Sequence, residues 1–225
     1  ASGSALVGLL TGMGVGALIG LVFGTISTSL RGSQLISGVG INLLALGFVA
    51  LMLSVMGAPG FHSVAREVQV PLIPLGVGNL SPLVPITVAI AIGVWWLLRR
   101  TQLGIWIRAV GENPAAADVA GIRVNRVRLG AAVAAGVLAG LAGAYLSIDW
   151  FGAVTKEITA GRGFIALAIV VFSGLNPLLA LLGGFIFGFF DGLATWVATY
   201  PGIKDIIPWQ FVAMMPYVVT LAVVA

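Results

Sequence analysis

Long charge-free apolar stretches constrain this chain more than any other feature. Five of them reach or approach the roughly 20 residues needed to cross the hydrocarbon core of a bilayer as a helix. They are 3–25, 34–57, 83–98, 129–148 and 208–225. A sixth apolar region, 163–199, is broken at Gly174 to Pro177 and carries a single charge, Asp191. Its first part, 164–173, is short for a full span and reads as either a tilted short helix or a re-entrant one. Its second part, 177–199, is long enough to cross. Only 8% of residues are Asp, Glu, Lys or Arg, against about 25% in a soluble domain. Such a chain cannot cover a water-facing surface. The expectation is an all-α polytopic transmembrane helix bundle in contact with lipid. An ordinary cytosolic enzyme and a nucleic-acid binder are excluded.

Charge fixes the orientation. The loop 99–128 holds Arg99, Arg100, Arg108, Arg123, Arg126 and Arg128 against Glu112 and Asp118, a surplus equal to the net charge of +4. The loops at 58–82 and 149–163 are balanced, Arg162 being set there against Asp149 and Glu157 together with Lys156. Cytoplasmic loops carry the Lys/Arg excess, so 99–128 and the short loop at Arg31 face the cytoplasm. The loops 58–82 and 149–163 then face outside. Trp95, Trp96, Trp106, Trp150, Trp196 and Trp209 fall where interfacial anchors belong. Residues 1–225 read as one transmembrane domain, the interior of a longer protein with helices missing at one or both ends.

Glycine recurs every four residues at Gly8, Gly12, Gly16, Gly20 and Gly24. Gly136, Gly140 and Ala144 repeat the device, as do Gly184, Gly188 and Gly192. Small residues at that spacing let helix backbones approach closely in lipid. Packing within the chain is favoured over a subunit interface.

Residues for covalent or metal chemistry are missing. There is no Cys and one His, His62, so neither a catalytic residue nor a metal site is expected. No phosphate-binding Gly-x-x-x-x-Gly-Lys-Ser/Thr run occurs, since Lys156 and Lys204 precede Glu157 and Asp205. The chain has no ATP-binding motif of its own and no cofactor. Asp191 is the one ionisable residue well inside an apolar segment, and such residues are functional suspects. It lines a pathway or is a carboxylate at a cavity wall; an ion-coupled secondary transporter is the weaker alternative it raises. Asn42, early in 34–57, lines a polar path or ties two helices together.

The loop 99–128 contains Gly111-Glu112-Asn113-Pro114-Ala115-Ala116-Ala117-Asp118-Val119-Ala120-Gly121-Ile122. Asn113 is a good helix N-cap and Pro114 a favoured first residue. Residues 115–120 then form a short helix, ended by Gly121. It is either a capped loop helix near anionic lipid or a small-faced helix that docks into a soluble partner.

This loop resembles the cytoplasmic coupling loop of importer-type ABC transporter permeases, built on Glu-Ala-Ala followed by Gly. Where the fuller motif has Glu before Ala-Ala, this chain has Ala115. The resemblance is nearest to the branched-chain amino acid, simple sugar and nucleoside group. It extends through Arg126 to Tyr145 and through the block Ser37-Gly38-Val39-Gly40-Ile41-Asn42-Leu43-Leu44-Ala45-Leu46-Gly47. The block Thr159-Ala160-Gly161-Arg162-Gly163-Phe164-Ile165-Ala166-Leu167-Ala168 resembles nucleoside permeases that work with basic-membrane-protein-type lipoproteins. The resemblance covers about 30–225. It implies a multi-pass permease of a prokaryotic plasma membrane, importing nucleosides or, alternatively, branched-chain amino acids or simple sugars. It implies an ABC ATPase subunit, with ATP and Mg on that partner, docked on 114–120. It further implies a second permease subunit in a heterodimer and an extracytoplasmic substrate-binding lipoprotein on the outer loops. Arg162 and Phe164 are placed near the outer mouth, to meet substrate or binding protein, or else to serve as an interface anchor and a core aromatic.

Overall fold

The computed structural model describes residues 4–30, 32–57, 61–63, 73–75, 78–155, 157–199, 211, 212, 214, 215 and 218. Helices dominate it: α1 (Ala5–Thr28), α2 (Gln34–Val55), α3 (Leu83–Arg100), α4 (Gln102–Glu112), α5 (Pro114–Val119), α6 (Val124–Tyr145), α7 (Arg162–Phe172) and α8 (Pro177–Thr199). Five of these segments are long and apolar enough to cross a membrane: α1, α2, α3, α6 with its extension to Trp150, and α8. Their bounds follow the charge-free stretches, with α1 running on to Thr28. The stretch 208–225 lies mostly outside the described residues; its described members are helical. The chain divides into two compact units.

The first unit comprises Ala1–Ile86 and Leu97–Ala160. Its centre is the packing of α1 on α6. A methyl group placed on Gly16 would overlap the Gly136 carbonyl oxygen and lie 2.9 Å from the Gly140 Cα. One on Gly12 would lie 2.7 Å from the Ala144 Cβ, and one on Gly140 would lie 3.0 Å from the Gly16 Cα. The two backbones touch because no Cβ separates them, so this stripe is spent on packing inside the chain. At the ends, Gly8 faces Ile148 and Gly24 faces Leu129, so the helices run antiparallel. The end of α1 and the start of α6 therefore share one side, as the charge reading requires of the Arg31 loop and 99–128.

The α6 helix continues into a π turn, Leu146–Trp150. There Phe151 N–H donates to the Leu146 carbonyl at 3.0 Å. The Ser147 hydroxyl donates to the Gly143 and Ala144 carbonyls at 3.2 and 3.1 Å. This widened turn places buried Ile148 over Gly8.

Four short strands complete the unit: β1 (Phe61–Ser63), β2 (Ile73–Leu75), β3 (Gly78–Leu80) and β4 (Ala153–Thr155). The β2–β3 pair is local. The β1–β4 pair is antiparallel, with His62 opposite Val154. It joins the loops 58–82 and 149–163, which the charge pattern puts on the same outer side.

The second unit comprises Thr87–Trp96 and Gly161–Ala225. Here α7 and α8 form a hairpin. Gly174 and Leu175 both adopt positive φ, +56° and +62°, and their N–H groups donate back to the Val171 and Val170 carbonyls at 3.1 and 3.3 Å, closing α7. Asn176 then caps α8, its Oδ1 accepting from Leu178 N–H at 3.1 Å, with Pro177 as the first helical residue. Ile169 packs over Gly183. Farther along α8, buried Ala194 and Val197 cluster with Val212.

Candidate functional site

The loop 99–128 holds two helices where its sequence points to one. After α3 the chain reverses at Thr101, whose Oγ accepts from Gly104 N–H at 3.3 Å and donates to the Leu97 carbonyl at 2.6 Å. A Cβ on Gly104 would lie 2.5 Å from that same Leu97 oxygen, so only glycine fits this tight entry into α4. Val110 is buried while Leu103, Ile105 and Trp106 are exposed. Apolar exposure next to arginines hides α4 from a search for charge-free runs, yet it suits a helix lying at a membrane surface.

Asn113 joins α4 to α5. Its N–H donates to the Ala109 carbonyl at 3.0 Å, closing α4, while its Oδ1 accepts from Ala116 N–H at 3.1 Å, opening α5. Such a cap contributes about 1 kcal/mol. Gly121, at φ +82°, ends the element. Its N–H donates to the Asp118 carbonyl at 2.9 Å, and Ile122 N–H to the Ala117 carbonyl at 3.0 Å. Every residue of the expected coupling segment thus has a defined place. Gly111 and Glu112 end α4, Asn113 is the joint, Pro114 to Asp118 form the helix, and Gly121 with Ile122 closes it.

The face of α5 is resolved by burial. Ala117 is 4% exposed and turns inward, toward the side where α5 packs on α6. Ala115, Ala116 and Asp118 are exposed, and Val119 projects with 92% exposure. Val119 is the exposed apolar residue that a reading of small side chains passes over. Two residues beyond an inward Ala117, at 100° per residue, it must point away. A groove of about 550 Å³ lies between α5 and the start of α6, lined by Pro114, Ala115, Asp118, Arg123, Val124, Asn125 and Arg126.

In the second unit the structure brings together two residues that the sequence keeps 29 positions apart. Arg162 Nη2 donates to Asp191 Oδ2 at 2.9 Å. Arg162 thus pairs with the lone acid of α8, a partner that the sequence reading does not assign to it. Phe164 is 78% exposed on α7. Asn42 is exposed on α2 and makes no hydrogen bond to the described residues, so it ties no two of these helices together.

The class these features define is a polytopic helical membrane protein with a capped helix in its arginine-rich loop. The chain belongs to the family described as branched-chain amino acid transport system / permease component, matched over residues 2–224. It is 34% identical over 225 residues to the nucleoside ABC transporter permease protein NupC of Lactococcus lactis subsp. cremoris, covering 93% of this chain and 70% of that protein. It is 33% identical over 225 residues to the guanosine ABC transporter permease protein NupQ of Bacillus subtilis, covering 95% and 70%. It is also 30% identical over 248 residues to the putative glucose ABC transporter permease protein TsgC13 of Haloferax volcanii, covering 100% and 75%. No solved structure matches it. The chain is thus an ABC-importer permease, multi-pass in a prokaryotic plasma membrane.

Proposed function

We propose that this permease carries nucleosides, with α5 as the element through which a separate ATPase subunit drives it. The double-capped α4–Asn113–α5 joint is the observation that carries the coupling role. A six-residue helix is unstable alone, so one held at both ends and packed on α6 is suited to transmit displacement. Ala115, Ala116, Asp118 and Val119 form the contact face. The ATPase binds ATP and Mg, closes, and pushes α5; the motion passes through α6 into the seam with α1.

The nucleoside assignment rests on the similarity to NupC and NupQ together with the block 159–168. The similarity to TsgC13, named a putative glucose permease, and the family's description support a simple sugar or a branched-chain amino acid as the second reading. An ion-coupled transporter is disfavoured because the acid of α8 already has a cationic partner. Residues 1–225 act as one permease domain, with 99–128 as its coupling loop. Asn42, Arg162, Phe164 and Asp191 are assigned to the substrate path. A second, different permease subunit completes the pathway, and a substrate-binding lipoprotein delivers cargo to the outer loops around β1 and β4.

The test is co-purification of tagged permease from its native membrane, beside Gly121→Trp. Wild type brings down an ATPase subunit, and the variant, with a bulky side chain in a left-handed position, releases it. Absence of any ATPase from the wild-type sample in mild detergent would sink the coupling role. Uptake of labelled guanosine, challenged with excess leucine or glucose, decides the cargo: competition by other nucleosides alone supports this reading, and competition by leucine or glucose replaces it.

A further inference from the structure

We infer that the Arg162–Asp191 ion pair is a hydration-sensitive latch, holding α7 on α8 while the space beside it is dry and releasing it when water enters. This rests on the permease reading above and deepens it. With 11 residues α7 is about 16 Å long, and with 23 residues α8 is about 34 Å, against a core of about 30 Å. The hairpin turn sets the end of α7 level with the start of α8. Asp191 is the fifteenth residue of α8, so the pair lies about 20 Å from the turn end, within the hydrocarbon depth. There α7 stops short while α8 continues for eight more residues.

The attachment of α7 is uneven along its length. None of its residues is buried. Ile169 on Gly183 holds it near the turn, and the turn itself contains two consecutive left-handed residues, Gly174 and Leu175. At the opposite end the ion pair joins it to α8. Both side chains remain partly open, at 32% and 48% exposure, so whatever fills the adjoining space sets the strength of their attraction. Coulomb attraction at a fixed distance falls many-fold as the surroundings change from dry protein or lipid to water. A transport path that alternates between hydrated and closed states changes that medium in each cycle. The pair converts the change into a held or released half-helix, hinged at 173–176.

These 225 residues contain no Cys, so with any cysteines elsewhere in the transporter replaced by Ser, paired spin labels are placed at Leu167→Cys and Leu193→Cys. Both sites are exposed and both leave the pair intact. The complete transporter with its ATPase, in lipid nanodiscs, is measured nucleotide-free and trapped with ATP. The expected result is a change of about 5 Å or more in the label separation, the scale of one helical turn. One unchanged distance in both states overturns the latch. In parallel, Asp191→Asn should lose at least about 10-fold in uptake while the complex still hydrolyses ATP, and Arg162→Asp with Asp191→Arg should restore uptake. If hydrolysis in Asp191→Asn falls in step with uptake, the pair merely supports the fold and the latch is rejected. Failure of the permease reading looks different: the wild-type complex itself then shows no nucleotide-driven uptake.

Discussion

Glycine recurs every four residues on both α1 and α8, and the two rows end differently. On α1 the row is sealed: a Cβ at Gly16 or Gly20 would strike the backbone of α6, and one at Gly12 the Ala144 Cβ. On α8, Gly184, Gly188 and Gly192 face nothing within 4 Å among the described residues, while Gly183, one position off the row, meets Ile169. Spacing therefore gives the capacity for close approach and not its use. The seam closes because α6 offers its own small residues, Ala132, Gly136, Gly140 and Ala144, at the same rise in the opposite direction. The helix hairpinned onto α8 is α7, whose Ile165, Ile169 and Phe172 give no matching row of small side chains.

Three leucine substitutions grade that difference. Gly140→Leu puts a side chain into the α1 backbone, which cannot yield without parting the helices. It should cost about 3 kcal/mol or more, seen as a large drop in the thermal unfolding midpoint of permease in mild detergent. Gly183→Leu meets the Ile169 side chain rather than a backbone, its Cβ 2.8 Å from the Cγ2, and should cost about 1–3 kcal/mol. Gly188→Leu enters open space and trades a poor helix former for a good one. Its midpoint should move by less than about 1 kcal/mol, upward. Comparable losses at Gly140 and Gly188 would erase the distinction between the rows. A sharper version uses the whole transporter: if the second permease subunit packs on α8, Gly188→Leu should leave this chain stable yet reduce recovery of that subunit.

The crossing helices were legible because apolar length is a direct measure of the bilayer; the glycine rows were legible as surfaces for close packing, while the pairing of α1 with α6 came from the structure. The short helix α5 was legible from three residues whose local chemistry is unambiguous: Asn113, Pro114 and Gly121. The rest depends on contacts that no local pattern encodes. The helix α4 mixes exposed Leu103, Ile105 and Trp106 with Arg108 and Glu112, so neither a hydropathy window nor a charge count isolates it. The three-residue strands β1 and β4 acquire meaning only when two distant loops meet. Arg162 had nearer carboxylates in sequence, Asp149 and Glu157, and only the α7–α8 hairpin brings it to Asp191. The exposed face of α5 likewise needed burial to separate Ala117 from Val119.

The glycine seam has a further consequence, in the entropy of assembly. Two membrane helices that meet through long side chains must freeze rotamers on contact, at up to about 1.5–2 kcal/mol for each flexible residue. Gly12, Gly16, Gly20, Gly136 and Gly140 have no rotamers to lose. Their backbone freedom is already spent once α1 and α6 are helical, because hydrocarbon leaves the peptide groups no other way to be satisfied. Docking α1 on α6 therefore orders almost nothing new, and the dispersion gained across the seam is kept nearly whole. The residues that meet across the seam lie over a hundred positions apart in the chain, yet the helices can join as soon as both are inserted.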